Sequence, residues 1–421
     1  MKPKLLTTLP TYTGRLFAAD LIAGVTVAMV AIPLSIAIAI ASGTDPAKGL
    51  ITAIVAGFMI SLLGGSRVQI GGPTGAFIVV VFGVIAQHGY DGLVLATLMA
   101  GVILLMAGLL RVGNLITFVP EAVVNGFTIG IAVIIASGQL KDFFGLHTDH
   151  VPAEFIGKIE VLWAARATID WITTAAGVAT LVLLVVLRRL FPRIPGPIFV
   201  LGGISLALVA THQSVDTIFS RYGALPNHLP MPALPKITLA RMTELLPSAF
   251  VIAFLAAIES LLSAMVADRM MEGAKHRPNA EVLAQGWASI VSSLFGGLPA
   301  TGAIARTATN VRAGGRTPVA GLVHAATILI VMLVAAPLAG YLAMPALAAL
   351  LIITSWNMSE PHKWPHYWAA PLEDRLLLLL TLVLTVLANL TVAIGVGVGL
   401  GLALRLRSSK LKAPEWETPE R

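Results

Sequence analysis

Apolar runs separated by short charged or Pro/Gly-rich stretches fill this chain from near Asp20 to near Arg405. Runs of about twenty apolar residues predict helices that cross a bilayer, whereas a membrane barrel would show short alternating strands. The pattern predicts fourteen segments, at residues 17–41, 47–63, 74–86, 91–110, 115–138, 169–188, 196–212, 243–267, 281–295, 301–311, 317–336, 338–355, 374–390 and 392–406. Two of them, 74–86 and 301–311, read as half-helices. They follow Gly71-Gly72-Pro73-Thr74-Gly75-Ala76-Phe77 and Gly296-Gly297-Leu298-Pro299-Ala300-Thr301-Gly302-Ala303. Seven segments precede the long loop at 212–241 and seven follow it. An odd number per half inverts the second half relative to the first, and the half-helix is the third segment of each.

Local chemistry suits both interruptions. Gly71 and Gly72 let the chain turn, Pro73 fits a first helical turn because its missing N–H would have no partner there, and Thr74 is placed to cap. Pro299, Ala300 and Thr301 offer a comparable start. Irregular backbone at membrane depth survives only where it is buried in protein or lines a cavity. A single Gly/Pro pair often does no more than kink a helix. Two pairs at matching positions of inverted halves point instead to a transporter's substrate site, with free amino-terminal N–H groups facing the bilayer middle.

Composition fixes the compartment. At 57% hydrophobic and 12% charged residues, 421 residues lack the polar surface that water demands, so the chain is an all-α integral membrane protein. The first apolar run is too long for a signal-peptide core. The absence of cysteine excludes disulfides, thiol catalysis and Cys-based metal sites. A net charge of +7 suggests polyanion binding until the basic residues are placed. With both termini in the cytoplasm, twenty of the 28 Lys and Arg lie inside; Lys48, Lys141, Lys158, Arg166, Arg221, Lys236 and Arg241 lie outside, and Arg306 is left in the membrane. That is the positive-inside asymmetry of a multi-pass plasma-membrane protein, and nucleic acid is not an expected partner. Phosphate loops, metal-spaced His clusters and Ser-His-Asp arrangements are not found, so neither an enzyme, a metal site nor a nucleotide-driven pump is expected.

Four stretches carry a family resemblance. The run from Gly64 to Ala76 resembles the third-segment signature of the SulP anion transporters, also called solute carrier family 26. Arg306-Thr307-Ala308-Thr309-Asn310 with Ala313-Gly314-Gly315-Arg316-Thr317 resembles that family's tenth segment. Asp20 to Ala28 with Pro33 resembles its first segment, and Asn125 to Gly130 its fifth. The resemblance implies a 7+7 inverted repeat with a core domain (1–112 and 242–336), a gate domain (113–241 and 337–408) and a cytoplasmic tail (409–421). It implies an anion held between the amino termini of segments 3 and 10, core moving against gate, and a homodimer. Most relatives carry a cytoplasmic STAS domain after the last span, which residues 409–421 are too few to form. Where many relatives have Pro-Gln in segment 1, this chain reads Pro33-Leu34-Ser35, and where serines often precede the tenth-segment arginine it has Ala303 and Ala305. Any substrate contact made by those groups is therefore lost.

Elementary electrostatics makes the anion sensible. Two helix amino termini, each acting like about half a positive charge, converge on one point and offer unpaired donors. On this reading the binding residues are Thr74, Gly75, Ala76, Phe77, Thr301, Gly302, Ala303, Ile304, Arg306 and Ser35, with backbone N–H groups doing much of the work and Phe77 walling the site. A buried Arg306 is costly unless it meets a carboxylate, a carbonyl or an anion; snorkelling to the cytoplasmic end of its short helix is the plainer alternative. Glu259, at the centre of segment 8, has no base nearby in sequence, and an ionised carboxylate is expensive there. That makes it the candidate carrier of a coupled proton, with Ser263 one turn away on the same face and Arg306 completing a polar cluster. Some sodium-coupled bicarbonate members of the family resemble this spacing, so a sodium site is the alternative, and a structural Glu259–Arg306 ion pair a third reading. Glu121 reads as an interfacial residue and His324 as a satisfied packing residue. No cofactor is expected beyond the transported anion and its coupled H+ or Na+. Dicarboxylates such as fumarate or succinate, bicarbonate, sulfate, chloride and nitrate all remain candidate substrates. A channel, motor or exchanger of the same architecture is possible. A nucleobase carrier is disfavoured because segment 10 carries Arg306 where such a carrier would need a second acidic residue.

Overall fold

Backbone in hydrocarbon must satisfy its own N–H and C=O groups, and this chain does so almost wholly with helices. The computed structural model describes residues 2–114, 119–148, 151–152, 154–191, 194–271, 275–388 and 390–407. In chain order the principal helices are α1 (Gly14–Ala41), α2 (Pro46–Leu63), α3 (Ile78–Leu109), α4 (Glu121–Gly138), α5 (Trp171–Leu190), α6 (Gly196–Ala210), α7 (Leu239–Met270), α8 (Pro278–Leu294), α9 (Ile304–Arg312), α10 (Val319–Ala339), α11 (Met344–Met358), α12 (Leu372–Leu387) and α13 (Leu390–Arg407). Among the described residues seven helices are long and apolar enough to cross a membrane. Several others stop short of the roughly twenty residues of a full span.

Most boundaries follow the sequence pattern and its caps. Thr13, Asp45, Asp170 and Thr238 accept hydrogen bonds from the first-turn amides of α1, α2, α5 and α7, and Pro46 fills the first position of α2. The half-helix expected at 74–86 and the span at 91–110 form one run, broken at Gly89, whose φ of +69° only glycine adopts at little cost. The helix expected from 301 starts instead at Ile304, because Thr301 and Gly302 are extended. The expected start of segment 5, at 115, falls outside the described residues, as does the tail at 409–421.

Helix packing sorts into two groups. α1, α2, α3, α7, α8, α9 and α10 pack on one another, and α4, α5, α11, α12 and α13 do likewise; α6 packs on α5, α1 and α11, and contacts of α1 with α11 and of α7 with α13 join the two groups. Small residues permit the close approaches: a side chain on Gly101 of α3 would run into Ile290 and the Gly286 carbonyl of α8, and one on Gly49 into the Ser35 carbonyl of α1. Two short strands, β1 (Gly71–Gly72) and β2 (Thr301–Gly302), pair antiparallel inside the first group, Gly71 opposite Gly302 and Gly72 opposite Thr301. This places the two interruptions, 230 residues apart in sequence, side by side.

Candidate anion site

The ladder fixes which backbone donors stay free. Beyond the strand pair, Ala303 donates its N–H to the Ile70 carbonyl at 2.9 Å, so it is not a free donor for a ligand, contrary to the sequence expectation. Thr307 N–H, at 2.9 Å from the Ala303 carbonyl, closes the first turn of α9, which leaves the amides of Ile304, Ala305 and Arg306 without intrahelical partners. Ile304 is half-buried and Ala305 exposed, so this helix start opens onto free space. Across from it, residues Gly75–Phe77 form a single 3-10 turn that leads into α3. Phe77 N–H reaches only the Thr74 carbonyl, at 3.2 Å, and Gly75 and Ala76 keep the orphan amides of the turn.

Thr74 does not cap this turn. Its backbone is extended (φ −124°, ψ 156°), yet its hydroxyl makes no cap bond and is buried with no partner. Phe77 is 2% exposed and packs in the apolar core. Thr301 turns its hydroxyl away to the Ala256 carbonyl of α7, at 2.9 Å, which ties β2 to the helix that carries Glu259. A side chain on Gly302 would overlap the Gln69 amide, and one on Gly75 would come within 3.0 Å of the Met358 sulfur and 3.5 Å of Ile135 Cδ1. The turn at Gly75 therefore faces α4 and α11 of the other helix group.

Arg306 lies between the two helix starts. It is 2% exposed, and its Nη2 donates to the Pro73 carbonyl at 2.9 Å and to Ser35 Oγ at 3.2 Å. Nε and Nη1 are buried and unpartnered. A guanidinium has five N–H donors, and stranding several of them in a dry interior is costly, so this geometry is that of a cation waiting for an acceptor. Snorkelling does not occur. Nor does the ion pair: among the described residues no hydrogen bond or salt bridge involves Glu259, which is half-buried on α7.

The polar cluster expected around Glu259 is therefore arranged differently. Ser263 Oγ meets Thr307 Oγ1 at 3.0 Å, and Thr307 Oγ1 accepts the Ile70 N–H at 3.1 Å. This chain of contacts joins α7 to both interruptions and does not include Glu259, one turn from Ser263 on α7. His324 is fully buried with neither ring nitrogen partnered, so it is not the satisfied packing residue that its sequence context suggested.

A second network underpins the site and was not anticipated. The buried carboxylate of Glu281 on α8 accepts from the Gly65 and Ser66 amides at 2.8 and 3.2 Å, from Ser260 Oγ at 2.9 Å and from Gln285 Nε2 at 3.0 Å. Ser260 Oγ in turn accepts from Gln69 Nε2 at 2.8 Å and Gln285 Nε2 at 2.7 Å. Asn310 Nδ2 adds a bond to the Val68 carbonyl at 2.8 Å. Residues 65–69, which lead into β1, are thus pinned to α7, α8 and α9, and Ser260 is the residue next to Glu259. The signal in the sequence was the helical spacing of Glu281, Gln285, Ser289 and Ser292, which puts four polar groups on one face.

Comparison with known proteins follows the same lines. The profile of the sulfate permease family matches residues 17–381. The chain is 45% identical over 350 residues to the putative sulfate transporter YvdB of Bacillus subtilis, covering 83% of this chain and 66% of that protein. It is 31% identical over 343 residues to the bicarbonate transporter BicA of Picosynechococcus sp., covering 79% of this chain and 60% of that one. It thus spans about two thirds or less of these relatives. The transmembrane domain of a cyanobacterium bicarbonate transporter BicA superposes with a TM-score of 0.82 at 30% identity, covering 91% of this chain and 99% of that one. SLC26A9 superposes at 0.86 with 17% identity over 97% of this chain and 68% of that one, a likeness of fold alone. These relatives are transporters and not enzymes.

Proposed function

The chain belongs to the sulfate permease family, and from that premise we propose that it is a secondary active transporter of a small anion, bound between the starts of α3 and α9. The observation that carries this reading is the buried Arg306, with Nε and Nη1 unpartnered between two helix amino termini. Its cradle comprises Thr74, Gly75, Ala76, Ile304, Ala305, Arg306 and Ser35. Family membership supports an inorganic anion such as sulfate or bicarbonate, and a small dicarboxylate fits the same charge. Uptake is coupled to H+ through Glu259, a carboxylate one helical turn from Ser263 on α7. The two helix groups correspond to a core domain (1–112 and 242–336) that moves elevator-like against a gate domain (113–241 and 337–408). Contact of Gly75 with Ile135 and Met358 supports the cradle lying at that boundary. The seven-plus-seven inverted repeat, a plasma-membrane location with both termini in the cytoplasm, and a homodimer complete the proposal. A second reading, sodium-coupled bicarbonate uptake, is favoured by the likeness to BicA.

Uptake of labelled sulfate, bicarbonate, succinate and chloride into proteoliposomes, under imposed pH and sodium gradients, tests this function. A pH gradient should drive saturable accumulation of at least one anion. Glu259→Gln should abolish that drive while sparing anion binding. Unchanged pH-driven accumulation in Glu259→Gln would refute proton coupling through this residue, and a strict sodium requirement would favour the second reading.

A further inference from the structure

His324 of α10 lies behind the cradle and takes no part in it. The imidazole is fully enclosed, and neither Nδ1 nor Nε2 has a partner. A neutral imidazole carries one donor and one acceptor, so both are stranded. A Cβ built on Gly57 of α2 would stand 4.0 Å from Nδ1 and 3.0 Å from the Gly71 carbonyl oxygen, which puts the ring on the back of β1. One turn along the same α2–α10 contact, Ser61 Oγ abuts Gly321 and is also buried without a partner. On β1 itself, Gly72, next to Gly71, abuts the unpartnered Nη1 of Arg306. A seam of unsatisfied polar atoms thus runs from Ser61 through His324 to the arginine of the cradle.

The other charged groups on the packed elements lie elsewhere. Asp20 of α1 is occupied by Arg316 N–H, Thr317 and Tyr12, and Arg15 is exposed. Lys48, at the far end of α2, sits over the Tyr90 ring, and Arg312 of α9 is exposed. Among the described residues, Arg306 is the one charge in the seam.

We propose that His324 is a charge-compensating residue that sets which anions the cradle accepts, taking up a proton when the guest carries two negative charges and remaining neutral when it carries one. With the cradle empty, an imidazolium beside an uncompensated Arg306 would be repelled. A monoanion neutralises Arg306 and leaves nothing for a second cation to balance. A dianion leaves one negative charge over, which a proton on His324 cancels. The two helix starts add partial positive charge to either guest alike, so the difference falls on the titratable group. The proton comes from water on the side to which the site is open and returns there when the anion leaves; no covalent bond changes. Linkage is reciprocal: a dianion that favours the proton is itself bound more tightly as pH falls.

This inference rests on the cradle reading, and calorimetry on the purified full chain separates the two. Potassium sulfate and potassium chloride are titrated near pH 6.5 in two buffers of different ionisation enthalpy, which counts the protons taken up per anion bound. Wild type should take up about one proton more per sulfate than per chloride, any uptake at Glu259 being common to both anions. His324→Gln should bind chloride within about twofold of wild type, lose roughly tenfold or more in sulfate affinity, and take up no more protons with sulfate than with chloride. Equal proton counts for the two anions, chloride binding with no sulfate binding in wild type, or an excess of sulfate-linked over chloride-linked uptake that survives in His324→Gln would each overturn it. The wild-type counts decide the matter even where the variant fails to fold. Binding of neither anion would instead sink the cradle itself.

Discussion

Replacing Arg306 with methionine separates a ligand-binding arginine from a structural one, because the two roles predict opposite effects on the empty protein. The wild-type side chain spends one nitrogen on the Pro73 carbonyl and Ser35 hydroxyl and leaves two nitrogens dry. Removing it frees those acceptors, at a cost of about 1–3 kcal/mol for the stranded Pro73 carbonyl, but also removes a buried uncompensated charge whose desolvation costs several kcal/mol. The anion-free variant should therefore unfold at the wild-type temperature or above it. Binding should suffer instead. A unit charge about 4 Å from an anion at an effective dielectric of about 20 contributes about 4 kcal/mol, and after partial loss to dehydration the affinity should fall about 100- to 1000-fold. Thermal unfolding with and without anion reads both effects. At a concentration 100 times the wild-type Kd, wild type gains about 2.7 kcal/mol, and a variant bound 100-fold more weakly gains only about 0.4 kcal/mol. A variant that keeps the full anion-dependent gain, or whose empty form melts several degrees lower, would refute the reasoning.

Two further substitutions test the frame that holds the site. Gly302→Ala places a methyl group onto the Gln69 amide inside the strand pair, so it should destabilise the protein by about 1–3 kcal/mol, seen as a lower melting temperature in detergent. Asp170, outside the spans, caps α5, and its carboxyl is held below the usual range chiefly by the Thr173 hydroxyl and by the Thr173 and Ile172 amides. A depressed carboxyl stabilises above its unfolded pKa and loses that contribution as pH falls through the folded one. Asp170→Ala should accordingly cost about 1 kcal/mol at neutral pH and less once the medium is more acidic than the carboxylate range. A pH-independent deficit in melting temperature would contradict it.

Much of this site was legible because its components are local. Gly71-Gly72-Pro73 and Pro299 to Thr301 announce broken helices at membrane depth by residue type alone, and Arg306 stands out as a charge placed within a membrane segment. What could not be read depends on register between distant residues. Nothing in the sequence says that Ile70 lies opposite Ala303, and that one pairing removes Ala303 N–H from the binding set and shifts the start of α9 to Ile304. The partners of Ser263 and Arg306 were misjudged for the same reason: a shared helical face says which way a side chain points, not what meets it across a packing interface. Thr307 and Ser35 do that here. Glu281 was readable in principle from its polar helix face, but its acceptors' partners, Gly65 and Ser66, lie more than two hundred residues away.

The most direct test of the central claim is to locate the anion. Anomalous diffraction from crystals grown with selenate or bromide should place a peak between Gly75–Ala76 and Ile304–Arg306, within hydrogen-bond reach of Arg306 Nε or Nη1. A peak elsewhere in the protein, with the space between the two helix starts empty at saturating anion, would contradict the account.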